Sequence, residues 1–268
     1  MNLSKIEAVS KDIFETHCHL DYLKDRPLQT TLDLSNQYNI KKINTIAVSP
    51  EHLDDILNLS NKYENVYCTQ GIHPHEADKV DQSIIDIVKK NTLSSNKVLA
   101  IGEIGLDFHY TKSPKKKQIE VFENFLQLSI DLNKPVVIHT REAEEETISI
   151  LKNFLPQINK NIVFHSFTSS KLLADFAVKN KIFFGINGII TFNKSDELRE
   201  VISGVPKELL VLETDSPFLA PMPFRGKENA PFLIPMIARK LAKIKELEVD
   251  DLLEQCWINS HQLFDLEA

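Results

Sequence analysis

Two histidines stand one residue apart in "ETHCHLD" (15–21), just after the short apolar run "DIF". On an extended strand, residues two apart point to the same side, so His17 and His19 can aim at one point. Imidazole is a common metal ligand, and a pair of them aimed together is a reason to look for more. More such groups follow. Glu103 sits in "IGEIGLD", His139 in "VVIHTRE", His165 in "IVFHSF" and Asp215 in "LETDSPF", with His73 and His75 in "GIHPH". Each closes a short apolar run. Four of these histidines with one glutamate and one aspartate make a mixed nitrogen and oxygen set. Such a set suits zinc, manganese, cobalt or nickel better than calcium. It holds too many ligands for one tetrahedral zinc that must also keep an open position. Two cations bridged by a carboxylate fit it better.

Something must carry these groups to one place. The strand candidates are "DIFETH", "KINTIAVS", "NVYCTQGI", "KVLAIGEI", "PVVIHT", "NIVFHSF", "IFFGING" and "LLVLETD". Their apolar runs are near-continuous instead of alternating, as in a parallel sheet buried on both faces. Between them lie helical patterns, including "PEHLDDILNLSNKY", "SIIDIVKKN", "AEEETISILKNF", "SKLLADFAVKN" and "SDELREVIS". In "KKKQIEVFENFLQLSIDL", Ile119, Phe122, Phe125, Leu126 and Ile130 recur at helical spacing. Two more helical patterns, "APFLIPMIARKLAKIKE" and "VDDLLEQCWINSHQLF", end the chain. Strands alternating with helices over 268 residues predict an α/β protein, a single-domain (β/α)₈ TIM barrel spanning 1–268. A doubly wound open sheet is the competing architecture. In a barrel the C-terminal ends of the strands form one rim, where active sites sit, and the ligand-type residues all fall there.

Composition narrows the function classes. The net charge of −7 argues against binding duplex nucleic acid across the whole surface. Contact with nucleic acid would be local. The one concentrated basic stretch, Lys115 to Lys117, reads as a solvated helix start. Cys18, Cys68 and Cys256 are odd in number and widely spaced, which fits a reducing cytosol better than a disulfide framework or a Cys-based zinc site. Cys18 would point away from its flanking histidines and pack. No stretch approaches the roughly 20 apolar residues of a membrane span, and the first residues lack a signal-like apolar region. A cytoplasmic protein is expected, with no membrane association and no obligate protein partner.

The motifs "THCHLD", "GIHPHEA", "AIGEIGLDFHY", "VVIHTREA", "VFHSF", "LETDSPFLAP", "RGKENAP" and "NSHQLF" occur in an order that resembles the TatD family of metal-dependent deoxyribonucleases. The resemblance runs from about residue 12 to residue 264. It implies a binuclear centre of divalent ions (zinc, magnesium or manganese). His17, His19, Glu103 and Asp215 would hold one ion, and Glu103, His139 and His165 the other. Glu103 would bridge, and Asp215 would act on the attacking water. The implied activity is hydrolysis of phosphodiester bonds, with DNA as substrate. It would be DNase activity of the 3'-5' exonuclease kind on single strands. The chain departs from the family pattern at Glu15, where aspartate is usual, at His109, where an aromatic is frequent, and at Thr168-Ser169, where a glycine commonly follows.

Arg225 in "FRGKEN" is a candidate phosphate clamp, because a guanidinium forks onto two oxygens. His73 and Arg141 lie beside the same rim and are expected to contact substrate. His75 is the weaker partner, since Pro74 does not guarantee a common direction. His52 and His261 read as surface or packing residues. Phe108, Phe167, Phe192 and Phe218 lie near rim motifs, where an unstacked base could rest. An alternative is a binuclear amidohydrolase or deaminase acting on a small molecule, prompted by Glu142 three residues after His139.

Overall fold

The computed structural model describes residues 3–110 and 112–267. Eight parallel strands follow one another around a single sheet in chain order. They are β1 (Ile13–Cys18), β2 (Ile40–Ile46), β3 (Val66–Gln70), β4 (Val98–Asp107), β5 (Val136–Arg141), β6 (Ile162–Phe164), β7 (Phe183–Ile186) and β8 (Leu210–Leu212). The ends of β1 and β8 approach and close the ring. The Asp215 amide donates to His17 O at 2.9 Å and the His19 amide to Ser216 O at 2.7 Å. The Thr16 hydroxyl adds a bond to Leu212 O.

The helices that cover the sheet are α1 (Leu28–Gln37), α2 (Leu53–Lys62), α3 (Gln82–Ser94), α4 (Lys115–Leu132), α5 (Glu144–Phe154), α6 (Lys171–Lys179), α7 (Asp196–Gly204), α8 (Ile234–Lys245) and α9 (Val249–Phe264). Each strand therefore buries both faces, one against helices and one inside the barrel. Phe122, Phe125 and Leu126 of α4 are fully buried in the outer layer, as their spacing predicts. The barrel matches the expected architecture, with one omission. Helix α1 carries only a short apolar stripe, Leu28 and Leu32, and its fully buried positions are Thr31, Leu32 and Ser35.

The interior of the barrel has a lower and an upper part. Below, Phe14, Leu99, Val137, Val163, Phe183 and Val211 pack together, and Leu263 and Phe264 of α9 plug them from beneath. Two residues further along a strand the side chain points the same way. That step leads from Val137 to His139, from Val163 to His165 and from Val211 to Glu213. The period of the strand thus changes the barrel's filling from apolar to ligand-type within one repeat.

Candidate metal centre

Glu103 lies at the middle of the upper layer, 2% exposed. Its two oxygens face different neighbours. Oε1 is 2.7 Å from His165 Nε2, 3.0 Å from His139 Nδ1 and 3.6 Å from His73 Nε2. Oε2 is 3.5 Å from His17 Nε2. On that second side Asp215 Oδ1 stands 3.4 Å from His19 Nε2 and 3.8 Å from His17 Nε2. The carboxylate therefore divides the donors into two lobes, His17, His19 and Asp215 on one side and His139, His165 and His73 on the other. The lobes touch where the His17 and His165 rings stack with centroids 3.8 Å apart.

The donors fit divalent ions. Three groupings have ligand atoms within 4.8 Å of one another: His17, Glu103 and His165; His17, His19 and Asp215; and His73, Glu103 and His139. Among the described residues, neither ring nitrogen of the buried His17 has a hydrogen-bond partner, and His19 Nδ1 has none. A buried imidazole left so costs free energy unless another partner serves it. A cation supplies that partner.

The electrostatics agree. Burial alone would raise the Glu103 carboxyl, but the imidazoles of His165 and His73, with hydrogen bonding from His139 and His165, hold it well below the carboxylate range. For Asp215 the same opposition of burial and neighbouring histidines ends in a lowered value. Burial works against the charged form of His165, yet Glu103 and Glu213 raise it well above the ordinary histidine range. His17 goes down, through burial and the charge of His165. Protons on some histidines thus balance buried carboxylates, a role that a divalent ion takes over when it binds.

A supporting ring of carboxylates holds these donors. Asp107 Oδ2 is 3.1 Å from His139 Nε2 and 3.1 Å from His75 Nε2. Asp107 Oδ1 accepts the amides of His109 and Tyr110. Glu213 Oε1 lies 3.6 Å from His165 Nδ1. Glu15 Oε1 accepts the amides of His17 and Thr214, tying β1 to the end of β8. None of the three stands out as a supporting group in the sequence, Glu15 being marked only as a departure from the family pattern. The strand period was a usable signal for two of them, since Glu15 and Glu213 stand two residues before His17 and Asp215. The same period reaches Asp107, four residues after Glu103 on β4.

The six expected ligands converge. Of the expected substrate contacts, His73 does face the centre and takes the His75 amide on Nδ1 at 3.1 Å. His75 turns to the same side: the two rings are 4.3 Å apart, so Pro74 does not separate them. Arg141 and Arg225 are exposed, each with its guanidinium over an aromatic ring, Tyr110 at 4.7 Å and Phe192 at 4.5 Å. Cys18 points away, its thiol toward Asn44 O. His261 is buried at the opposite end of the barrel, where its Nε2 lies 2.7 Å from Lys42 Nζ. Glu142 pairs with His109 Nδ1 at 2.6 Å, and its side chain is 63% exposed.

A barrel with this rim defines a metal-dependent hydrolase. The family described as TatD related DNase matches residues 14–265, and the chain belongs to the TatD family. The Bacillus subtilis protein YabD, an uncharacterized metal-dependent hydrolase by name, is 33% identical over 254 residues, covering 94% of this chain and 98% of YabD. Escherichia coli YcfH, named in the same way, is 32% identical, covering 96% of this chain and 97% of its own length. The crystal structure of the TatD homologue YjjV from Escherichia coli K12 superposes with a TM-score of 0.89 at 26% identity, covering 95% of this chain and 98% of YjjV.

Proposed function

We propose that this hydrolase cleaves phosphodiester bonds as a DNase, removing nucleotides from the 3' end of single-stranded DNA. One observation carries the reading: Glu103 presents one oxygen to each of two donor lobes. That arrangement suits a pair of divalent ions holding both oxygens of an in-line displacement. His17, His19 and Asp215 would hold one ion and His139 and His165 the other, with Glu103 between them; zinc, magnesium and manganese all suit the oxygen and nitrogen donors. When bound, such ions supply Lewis acidity and lower the pKa of water.

The remaining work falls to the chain. Asp215, ionised and 14% exposed at its side chain, orients the attacking water and accepts its proton. His73, Arg141 and Arg225 take the phosphate oxygens that flank the cleaved bond. The guanidiniums suit this because they stay charged and fork onto two oxygens. Residues 1–268 act as one catalytic unit. The free, buried state of Cys18, Cys68 and Cys256 supports a reducing compartment such as the cytoplasm.

The alternative on small amides or bases loses its motivating feature, because Glu142 turns outward to His109. The test is hydrolysis of end-labelled single-stranded DNA by metal-stripped protein, with Mg²⁺, Mn²⁺ or Zn²⁺ added back and Asp215→Asn in parallel. A ladder shortening from the 3' end, absent without metal and in the variant, is expected. No cleavage of any phosphodiester by the metal-loaded protein overturns the reading.

A further inference from the structure

We propose that Phe218, beside Tyr22, is the platform on which one base of the substrate strand stacks beside the metal centre. The inference rests on the single-strand nuclease reading above and adds how the strand is recognised.

Four phenylalanines lie near rim motifs, and the structure separates them. Phe167 is buried and packs on Phe184 at 4.8 Å. Phe108 is half-buried beneath the Lys115 ammonium at 4.2 Å. Phe192 carries the Arg225 guanidinium. Phe218 alone among them is 50% exposed. Its ring centroid is 6.0 Å from that of His19 and 6.4 Å from that of Tyr22, nearly perpendicular to the latter at 82°. Tyr22 is itself fixed by stacking on His19 at 5.4 Å. The two rings stand nearly at a right angle, both beside His19, a candidate metal ligand, with Phe218 exposed and Tyr22 half-buried.

Phe218 is held firmly. The Phe218 amide donates to Asp215 O at 2.9 Å. The buried Asn229 side chain donates to Phe218 O at 2.6 Å and to Thr214 O at 2.9 Å. An exposed apolar ring is ordinarily free to be any residue. This one is anchored to the backbone of Asp215, three residues away. A phosphate at His19 and Asp215 would have its own nucleotide's base within reach of the Phe218 face. Such a base must be unstacked from its neighbours, which a single strand or a frayed end allows and an intact duplex does not. Across the centre, Tyr110 is also exposed, with the Arg141 guanidinium over one face of its ring. The far side, with its exposed guanidinium, therefore suits backbone phosphate, while the base lies at Phe218. Stacking of this kind tolerates every base, because each has a π face.

The experiment measures binding, so that it reads independently of cleavage. Metal-loaded protein is titrated against a fluorescent, hydrolysis-resistant phosphorothioate oligothymidylate, followed by anisotropy. The same strand is then used with a single abasic site placed in turn at each of the last few positions from the 3' end. Wild type is expected to bind one of these abasic strands about 5- to 150-fold more weakly than the intact strand. In Phe218→Ala the intact strand weakens comparably and that penalty falls to within about twofold, whereas Phe218→Trp keeps it. Leu93→Ala, an exposed apolar position on α3, serves as the control and binds as wild type does. A wild type indifferent to every abasic position, or a Phe218→Ala protein that retains the penalty, overturns the platform. DNA hydrolysis is assayed alongside. Base-dependent binding without hydrolysis overturns the nuclease reading and leaves the platform, and hydrolysis without base dependence does the reverse.

Discussion

Asp107 Oδ2 lies 3.1 Å from His139 Nε2, on the edge of the imidazole opposite the nitrogen that faces Glu103. A carboxylate behind a metal-binding histidine fixes its tautomer and raises its basicity. The Asp107 carboxyl feels burial first, which would raise it, but hydrogen bonds from His139 and His75 hold it far below its ordinary range. It is therefore an anion through the neutral range and can do this work. Asp107→Asn keeps the shape and removes the charge. Metal affinity is expected to fall about 10- to 100-fold, measured by competition with a chromogenic chelator. Affinity equal to wild type would show that Asp107 serves only the turn at His109 and Tyr110.

Glu103→Gln removes the carboxylate whose two oxygens face the two lobes. The amide keeps one acceptor and presents a donor where the other oxygen stood. We expect the variant to hold fewer ions per chain than wild type by elemental analysis, and to hydrolyse at less than about 1% of the wild-type rate, because both halves of the clamp depend on this group. Retention of full metal content with full activity would refute the bridging role.

The sequence carried most of this centre because strand chemistry is periodic. Apolar runs of β-branched and aromatic residues marked all eight strands, and ligand-type residues closing six of those runs marked the rim. The candidate ligands His17, His19, Glu103, His139, His165 and Asp215 stood out because histidines and carboxylates closed apolar runs. The supporting carboxylates were harder. Glu15 and Glu213 adjoin stronger signals, and their roles depend on backbone amides and a ring nitrogen that only the closed barrel brings near. The direction of His75 was not legible, because the turn after Pro74 sets it and no period governs a turn. Helix α1 stayed hidden for a different reason: its buried face is built of Thr31 and Ser35 as much as Leu32, so burial there leaves a weak hydrophobic trace.

Removing metal should weaken the fold as well as the activity. The buried carboxylates of the centre are balanced by protons and histidines alone once the ions leave. A ligand bound only by the folded state at about 100 times its dissociation constant adds about 2.7 kcal/mol. For a chain of this size that corresponds to a melting temperature lower by about 5–10 °C after chelation. Scanning calorimetry with and without chelator, followed by metal add-back, checks it. An unchanged melting temperature would mean that the ions bind weakly or not at all.

The three thiols should stay silent. Burial pushes Cys68 up to about 11 and Cys256 up to about 12. Cys18 is raised well above the thiol range by burial, then by Glu15. The reactive thiolate is therefore scarce at neutral pH and also screened from reagents. A thiol-specific chromogenic disulfide should react with none of them in the folded protein and with all three after denaturation. Chelation without unfolding should leave the result unchanged, since Cys18 faces Asn44 instead of the metal cluster. Rapid labelling of one cysteine on chelation would place Cys18 among the ligands.

Gly105 shows how closely β4 and β5 must approach to set the centre. Its φ is +139°, and it pairs in register with His139. A Cβ built there would stand 2.0 Å from His139 O. That atom is backbone, so no rotamer change can relieve the contact, and the positive φ adds strain for any L side chain. Gly105→Ala must therefore spread the two strands at the point where β4 carries Glu103 and β5 carries His139. Overpacking combined with an incompatible φ is expected to cost about 2 kcal/mol or more in urea unfolding. It should also lower metal content, because the 3.0 Å separation of Glu103 Oε1 and His139 Nδ1 depends on that strand contact. Gly204→Ala is the comparison: a Cβ there meets nothing within 4 Å among the described residues. It should leave metal content at the wild-type level, and loss of metal in both variants alike would detach the effect from the β4–β5 contact.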